Sequence, residues 1–192
     1  MTLPQPDYAM ALPVPDPETL DDDLKAYFAK CQEKLGLVPN VLRSYSARPE
    51  KLRTFIKLYN ELMLGDSGLD KLEREMIAVV VSSANHCYYC LVAHGQAVRK
   101  LSGDPQLGEM LVMNYRVAHL SARHRAMLDF AWKLTVTPHL ICQEDRQGLR
   151  DQGFSEEEIW DIGETAAFYN FSNRMAYTTD MMPNREYHKL DR

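Results

Sequence analysis

Two cysteines and a histidine lie close together near the middle of the chain. Cys87 and Cys90 form a Cys-Tyr-Tyr-Cys pair, and His94 follows four residues after the second cysteine. Side chains three or four residues apart share one face of an α-helix. A Cys-x-x-Cys pair at a helix N-terminus has a lowered thiol pKa, and a histidine exchanges protons near neutral pH. The spacing therefore predicts a thiol redox site suited to disulfide or peroxide chemistry.

The segment around the cysteines has the composition of a helix. No proline and a single glycine occur from His86 to Lys100, and Asn85 is a residue type that often caps a helix N-terminus. We predict a helix over 86–101 with Asn85 as its N-cap and Cys87 in its first turn. The free N–H groups and the helix dipole at this end then favour the Cys87 thiolate.

A glutamate, Glu75, precedes this segment on a stretch that is otherwise strongly apolar. Residues 76–81 are apolar on all sides, which is typical of a buried helix. A carboxylate at the edge of such a helix either reaches solvent or shares a proton with a partner inside the protein. Taken alone, the pattern favours a surface carboxylate or an ion pair with Arg74 or Lys71.

Metal binding is the main alternative for the cysteine pair. A structural zinc ion takes four ligands, so Cys87, Cys90 and His94 need a fourth. The candidates for that ligand are His86, His119, His124 and His139. No second Cys-x-x-Cys pair is present, and we expect redox chemistry and no bound metal or cofactor. A c-type haem is excluded, because Leu91 stands where the axial histidine belongs.

The order Glu75, Cys87-x-x-Cys90, His94 resembles the core motif of the alkylhydroperoxidase-D-like (AhpD-like) proteins in the carboxymuconolactone decarboxylase superfamily. The match covers about residues 69–101 and is nearest to the peroxidase-related subgroup. A weaker likeness extends to the segment 36–40 and to the helix after Ser155. The resemblance implies an all-helical fold, a homo-oligomer between a dimer and a hexamer, and reduction of alkyl hydroperoxides.

The resemblance also implies a role for each residue of the motif. Cys90 attacks the peroxide and becomes a sulfenic acid, Cys87 resolves it to a disulfide, and Glu75 and His94 relay protons. The best-known members have a histidine directly before the second cysteine, where this chain has Tyr89. Tyr89 and His86 are therefore possible auxiliary residues. A tyrosine donates hydrogen bonds but is a poor proton shuttle at neutral pH.

Composition and charge narrow the function classes. The chain has 192 residues, a net charge of −5, 45% hydrophobic and 26% charged residues. The charge gives no support for nucleic-acid binding, and no apolar run predicts a membrane span or signal peptide. With two scattered cysteines besides the pair, we expect a cytoplasmic protein. No nucleotide or flavin motif is present, so an external dithiol or protein must supply the electrons.

The remaining sequence predicts an all-α fold. No stretch alternates with the period of a strand, and at least seven segments have helical spacing. Residues 1–15, rich in proline, form an arm that lies over a neighbouring subunit or is disordered. Residues 16–182 form one helical domain, and 183–192 form a tail that is loose or docked on a partner. Asp16 and Pro17 are expected to begin the first helix and Gly36 to end it. A helix over about 69–82 is expected before the cysteines, and Ser121 and Ser155 are expected to cap later helices. The stretch 169–174 of the last helix could line a pocket or a subunit interface, and core packing is favoured for its aromatic residues.

Three functions stay open on the residues alone. The first is a thiol-dependent peroxidase, and the second is a redox sensor or disulfide-exchange protein, which Tyr89 favours. The third is a structural zinc-binding oligomer. Decarboxylase chemistry ranks last, because members of the superfamily with that activity lack the cysteine pair.

Overall fold

Helices joined by short loops form the part of the chain that the structure describes. The computed structural model describes residues 3–192, and these contain no β-strand. Nine α-helices follow one another, with four short 3-10 turns between or beside them. They are α1 Asp22–Leu35, α2 Asn40–Tyr45, α3 Pro49–Leu64, α4 Lys71–Ala84, α5 Tyr88–Ser102, α6 Pro105–Asn114, α7 Ala122–Val136, α8 Gln143–Asp151 and α9 Glu156–Thr179. The predicted all-α fold is confirmed.

Helix α4 is the centre of the molecule. A reciprocal capping box starts it, in which the Asp70 carboxylate accepts from the Glu73 N–H and the Glu73 carboxylate accepts from the Asp70 N–H. Its residues 76–81 are fully buried, as their all-apolar pattern predicts. Helices α5, α6, α7 and α9 pack around it. Because every side of α4 meets another helix, the side chains on its surface have fixed positions.

The first helix begins later than the sequence predicted. Asp16 does cap a turn, since its carboxylate accepts from the Glu18 N–H, but this turn is a short 3-10 segment at Pro17–Thr19. The α-helix starts only at Asp22, with Asp21 as N-cap, and ends at Gly36 in the left-handed conformation. Asp21, and not Asp16, is therefore the N-cap of the first α-helix, and Asp22 and Asp23 lie in its first turn.

Both ends of the described chain pack against the body of the same molecule. Ala9 and Met10 are buried, and backbone hydrogen bonds join Ala11 to Thr179 and Met182 to Ala9. In the C-terminal segment Tyr187 is buried, and the Arg99 guanidinium donates to its carbonyl oxygen at 3.0 Å. The arm and tail were expected to be loose or on a neighbouring subunit; here they cover the start of α2, the end of α9 and one side of α5.

Within residues 3–192, no helix is both long and apolar enough to cross a bilayer.

Candidate functional site

The cysteine pair follows a tight turn between α4 and α5. Asn85 ends α4 as its C-cap, and His86 has a left-handed backbone with φ of 55°. Cys87 is the N-cap of α5, and its carbonyl oxygen accepts from the Leu91 N–H at 2.9 Å. The prediction that Asn85 caps α5 is therefore wrong. The buried α4 continues for two residues past the predicted end, which moves the start of α5 to Tyr88.

The two thiols are buried next to each other at the N-terminus of α5. Cys87 and Cys90 are 2% and 1% exposed, and no disulfide joins them in this structure. A hydrogen bond from the Cys90 thiol, helped by the nearby His94 charge, lowers the pKa of Cys87 to about 7. The same hydrogen bond, together with burial, holds the pKa of Cys90 well above its usual value. The pair therefore loses its first proton near neutral pH and keeps the second between the two sulfurs.

A buried amide from α9 supports both thiols. Asn173 is fully buried, its amide donates to the Ser82 hydroxyl at 3.0 Å, and its carbonyl oxygen accepts from the Asn85 amide at 2.9 Å. Hydrogen bonds from Asn173 lower the pKa of Cys87 and oppose the rise in the pKa of Cys90. Helices α4 and α9 thus hold polar groups against the sulfurs in an otherwise apolar region.

Glu75 and His94 form a close pair between α4 and α5. Glu75 Oε2 and His94 Nδ1 are 2.7 Å apart, and the two side chains are 12% and 13% exposed. The interpretation of Glu75 as a surface carboxylate or a partner of Arg74 or Lys71 is wrong. Arg74 instead donates to the carbonyl oxygens of Leu62 and Gly65. With Nδ1 engaged by the carboxylate, Nε2 is the ring nitrogen left to take up or give a proton.

Tyr169 of α9 adjoins this pair. Its ring meets the His94 ring edge-on, with centroids 4.7 Å apart, and its hydroxyl lies 3.5 Å from His94 Nδ1. Burial raises the pKa of Tyr169 well above its usual value, so the phenol stays protonated. Tyr169 thereby fixes the orientation of the His94 ring.

The two possible auxiliary residues both bond to backbone groups, and Tyr89 packs in the same buried cluster as the two cysteines. Tyr89 is buried, and its hydroxyl accepts from the Val41 N–H at 3.0 Å at the start of α2. His86 is exposed, and its carbonyl oxygen accepts from the Tyr177 hydroxyl at 2.8 Å. Tyr89 thus ties α5 to α2, and His86 forms the turn before the cysteines.

A cavity of about 590 Å³ opens beside the site. Cys90, Glu75 and His94 all line it, whereas Cys87 does not. Most of the remaining wall comes from aromatic and aliphatic side chains of α1, α3, α5, α9 and the C-terminal segment. Of the two sulfurs, the one that a molecule in this cavity meets is that of Cys90.

The histidines considered as a fourth zinc ligand are spread over the molecule. His119 is exposed, and His124 Nε2 lies 3.5 Å from Glu73 Oε1 on the far side of α4. Across residues 3–192, no three His, Cys, Asp or Glu side chains come together in a way that could hold a metal ion.

Sequence reasoning gave Ser82 no role in the site and considered Asn173 only as part of the stretch 169–174. Both are polar residues inside buried helical faces, and that is the signal that marks them, because a buried amide or hydroxyl needs a partner. The polar and aromatic stretch Tyr169–Arg174 was noted as a possible pocket wall, yet core packing was preferred for its aromatics. Tyr169 does both, since it is 1% exposed and lines the cavity.

Comparisons with known proteins show the family of the chain. The model of the carboxymuconolactone decarboxylase family matches residues 49–131. A peroxidase-related protein from Silicibacter sp. TM1040 is 58% identical, with all of both chains covered and a TM-score of 0.95. The chain belongs to the AhpD-like proteins of the carboxymuconolactone decarboxylase superfamily.

Other solved structures extend the comparison of this AhpD-like protein. A peroxidase-related protein with an alkylhydroperoxidase AhpD core, from Ralstonia eutropha JMP134, is 41% identical over 97% of this chain and 98% of its own, with a TM-score of 0.94. The debrominase Bmp8, 20% identical over 87% of this chain and 89% of its own, has a TM-score of 0.74 and shares the fold alone. No curated protein sequence matches. The peroxidase-related relatives suggest an oxidoreductase with an antioxidant role.

Proposed function

We propose that this AhpD-like protein is a thiol-dependent peroxidase that reduces organic hydroperoxides with the Cys87/Cys90 pair. One observation carries the proposal. Cys90 and the Glu75–His94 pair line the same cavity, so a peroxide beside the Cys90 sulfur also lies beside a proton donor. A nucleophilic thiolate and an acid at the leaving oxygen are the two groups that cleavage of an O–O bond needs.

The nucleophile is Cys90, although Cys87 has the lower pKa. The hydrogen bond between the sulfurs lets the proton of Cys90 move to the Cys87 thiolate, which leaves the negative charge on the sulfur facing the cavity. The Asn173 amide stabilises that charge in either position. Cys87 therefore acts first as the base for Cys90 and later as its resolving thiol.

The proposed reaction has two steps. The Cys90 thiolate attacks the terminal peroxide oxygen, the O–O bond breaks, and the leaving alkoxide takes a proton from His94 to give the alcohol. Cys87 then attacks the sulfur of the Cys90 sulfenic acid, the S–O bond breaks, and the departing hydroxide takes the Cys87 proton to give water. The products are one alcohol, one water and a Cys87–Cys90 disulfide, with two electrons supplied by the thiols.

Glu75 prepares His94 for the proton transfer. The Glu75 carboxylate bonded to Nδ1 holds the ring in place and leaves Nε2 as the nitrogen available for proton transfer. After the alkoxide has been protonated, His94 regains a proton from solvent through the cavity. An external dithiol or a reducing protein then returns the disulfide to the dithiol, without a bound cofactor.

The test is consumption of tert-butyl hydroperoxide or cumene hydroperoxide in the presence of a dithiol. We expect turnover by the wild type, none by Cys90→Ser, and one trapped sulfenic acid without turnover by Cys87→Ser. Cys142→Ser is the control, because Cys142 is an exposed thiol outside the cavity. Full activity of Cys90→Ser would overturn the assignment.

A thiol–disulfide exchange protein or redox sensor is the second candidate. The pKa of Cys87, about 7, favours it, because the attacking thiol in exchange works best with a pKa near the ambient pH. In the same assay this function gives a reversible Cys87–Cys90 disulfide but no catalytic loss of peroxide. Zinc content of the purified protein, measured in parallel, tests the third alternative of a structural metal site.

A further inference from the structure

The cavity is much larger than the peroxide group that reacts in it. Its volume of about 590 Å³ falls within the range of about 300–1,000 Å³ typical of sites for organic ligands. A peroxide group is comparable in size to one or two water molecules, each of which occupies about 30 Å³ in the liquid. Most of the cavity is therefore available to the organic part of the substrate.

The cavity extends along α5, away from the cysteines. Cys90, His94, Ala97 and Leu101 recur at helical spacing and all line it. Eleven residues separate Cys90 from Leu101, which at 1.5 Å per residue is about 16 Å along the helix axis. Beyond Cys90 at the other end, Leu37 and Val41 continue the wall. This shape and lining suit a long hydrocarbon chain with a reactive group part-way along it.

Three lysines line the cavity at its exposed edge. Lys34 and Lys100 lie in the last turns of α1 and α5, Lys71 begins α4, and all three are exposed. Among the ion pairs of residues 3–192, the one that contains a lysine joins Lys133 to Asp145, so these three have no carboxylate partner there. An apolar cavity with three unpaired ammonium groups at its mouth is complementary to an amphipathic anion.

Two carboxylates also line the cavity, and both are engaged. Glu75 is paired with His94, and Asp191 accepts a hydrogen bond from the Gln96 amide. The neutral amide leaves the charge of Asp191 in place, so the three lysines and two carboxylates that line the cavity sum to a net charge of +1. The protein as a whole has a net charge of −5.

We propose that the cavity binds hydroperoxides of long-chain fatty acids, with the carboxylate at the lysines and the peroxide group beside Cys90. The binding part of this inference stands on the cavity and its charges, and the reaction rests on the proposed peroxidase function. The alkyl chain replaces water along α5, and the lysines set how far the chain enters. The peroxide carbon is then presented to Cys90 at a fixed distance from the carboxylate.

Binding is tested with ligands that carry no peroxide. Isothermal titration calorimetry compares lauric acid with lauryl alcohol, which has the same chain and no charge. Because ion pairs with partly exposed lysines are weak, we expect the acid to bind about tenfold more tightly than the alcohol to the wild type. In Lys34→Gln/Lys71→Gln/Lys100→Gln that preference should disappear. In the control Lys30→Gln/Lys51→Gln/Lys57→Gln, which changes the same charge outside the cavity, it should persist.

Turnover is tested with linoleic acid hydroperoxide and its methyl ester. We expect the ratio of the kcat/KM for the acid to that for the ester to fall about tenfold in the cavity triple variant and to persist in the Lys30→Gln/Lys51→Gln/Lys57→Gln control. Equal binding of acid and alcohol by the wild type would overturn the inference. The absence of lauric acid binding would also overturn the inference, and it is the result expected if a second copy of the chain covers the mouth of the cavity. Binding of lauric acid without consumption of any peroxide would instead refute the peroxidase function and leave the binding site.

Discussion

Replacing Cys90 by alanine removes the thiol that donates to Cys87. The largest cause of the low Cys87 pKa is that hydrogen bond, so Cys90→Ala should return the pKa toward the ordinary value of a cysteine. Cys90→Ser is the matched variant, because a serine hydroxyl still donates from the same position. The prediction is that the pKa of Cys87 rises in Cys90→Ala and stays low in Cys90→Ser.

The size of the effect follows from the two pKa values. The change from 9.0 to about 7 is two pKa units. At 1.36 kcal/mol per unit, this is about 2.7 kcal/mol of preference for the thiolate. At pH 7 about half of Cys87 is ionised with a pKa of 7 and about 1% with a pKa of 9, so the thiolate population should fall roughly fifty-fold.

Thiolate absorbance in the ultraviolet, followed against pH, measures this directly and does not depend on access to a buried sulfur. The titrations use proteins in which Cys31 and Cys142 are replaced by serine, so that Cys87 gives the signal. A midpoint near 7 in Cys90→Ala would refute the reasoning. In that case the low pKa of Cys87 would be due to the N-terminus of α5 and to His94, which both variants retain.

Further predictions concern the neighbours of the sulfurs. Glu75→Gln and His94→Ala should each lower the rate of peroxide turnover by roughly 10²–10⁴-fold, although Cys87 and Cys90 stay reduced before the peroxide is added. Wild-type rates in either variant would contradict a proton relay. Tyr89→Phe should change turnover less than about threefold, because its hydroxyl bonds to a backbone amide; a large loss would restore its auxiliary role. Asn173→Leu should raise the pKa of the first thiol to ionise and cost about 1.5–3 kcal/mol of thiolate stabilisation, seen in the same absorbance titration.

The helices were the part of the structure most accessible from sequence. Capping residues with a fixed geometry placed several boundaries well. Ser121 begins α7, Ser155 begins α9 in a capping box, and Gly36 ends α1 in the left-handed conformation. Where two caps compete, local reasoning failed. Asp16 caps a short 3-10 turn and Asp21 is the N-cap of α1, although the buried Leu20 and Leu24 follow Asp16 at helical spacing.

The site was accessible only in part, for a physical reason. The spacing of Cys87, Cys90 and His94 is that of residues on one helix face, and it was enough to predict that their side chains lie close together. Contacts between helices have no such spacing. The partner of Glu75 lies 19 residues away and that of Ser82 lies 91 residues away, so neither is visible in a local pattern. Glu75 was assigned to its partner by the family motif, and Asn173 had no motif to mark it.

The C-terminal segment forms one wall of the cavity, with Tyr187 and Leu190 anchored by Arg99. Tyr187 follows Cys90 by 97 residues in the sequence. At about 5–20 residues per second, a ribosome needs roughly 5–20 s to add that stretch. During this interval the nascent chain carries both thiols without the wall that later encloses Cys90. Cys90 therefore receives its complete enclosure only when the last residues of the chain have been added and Arg99 has bound them.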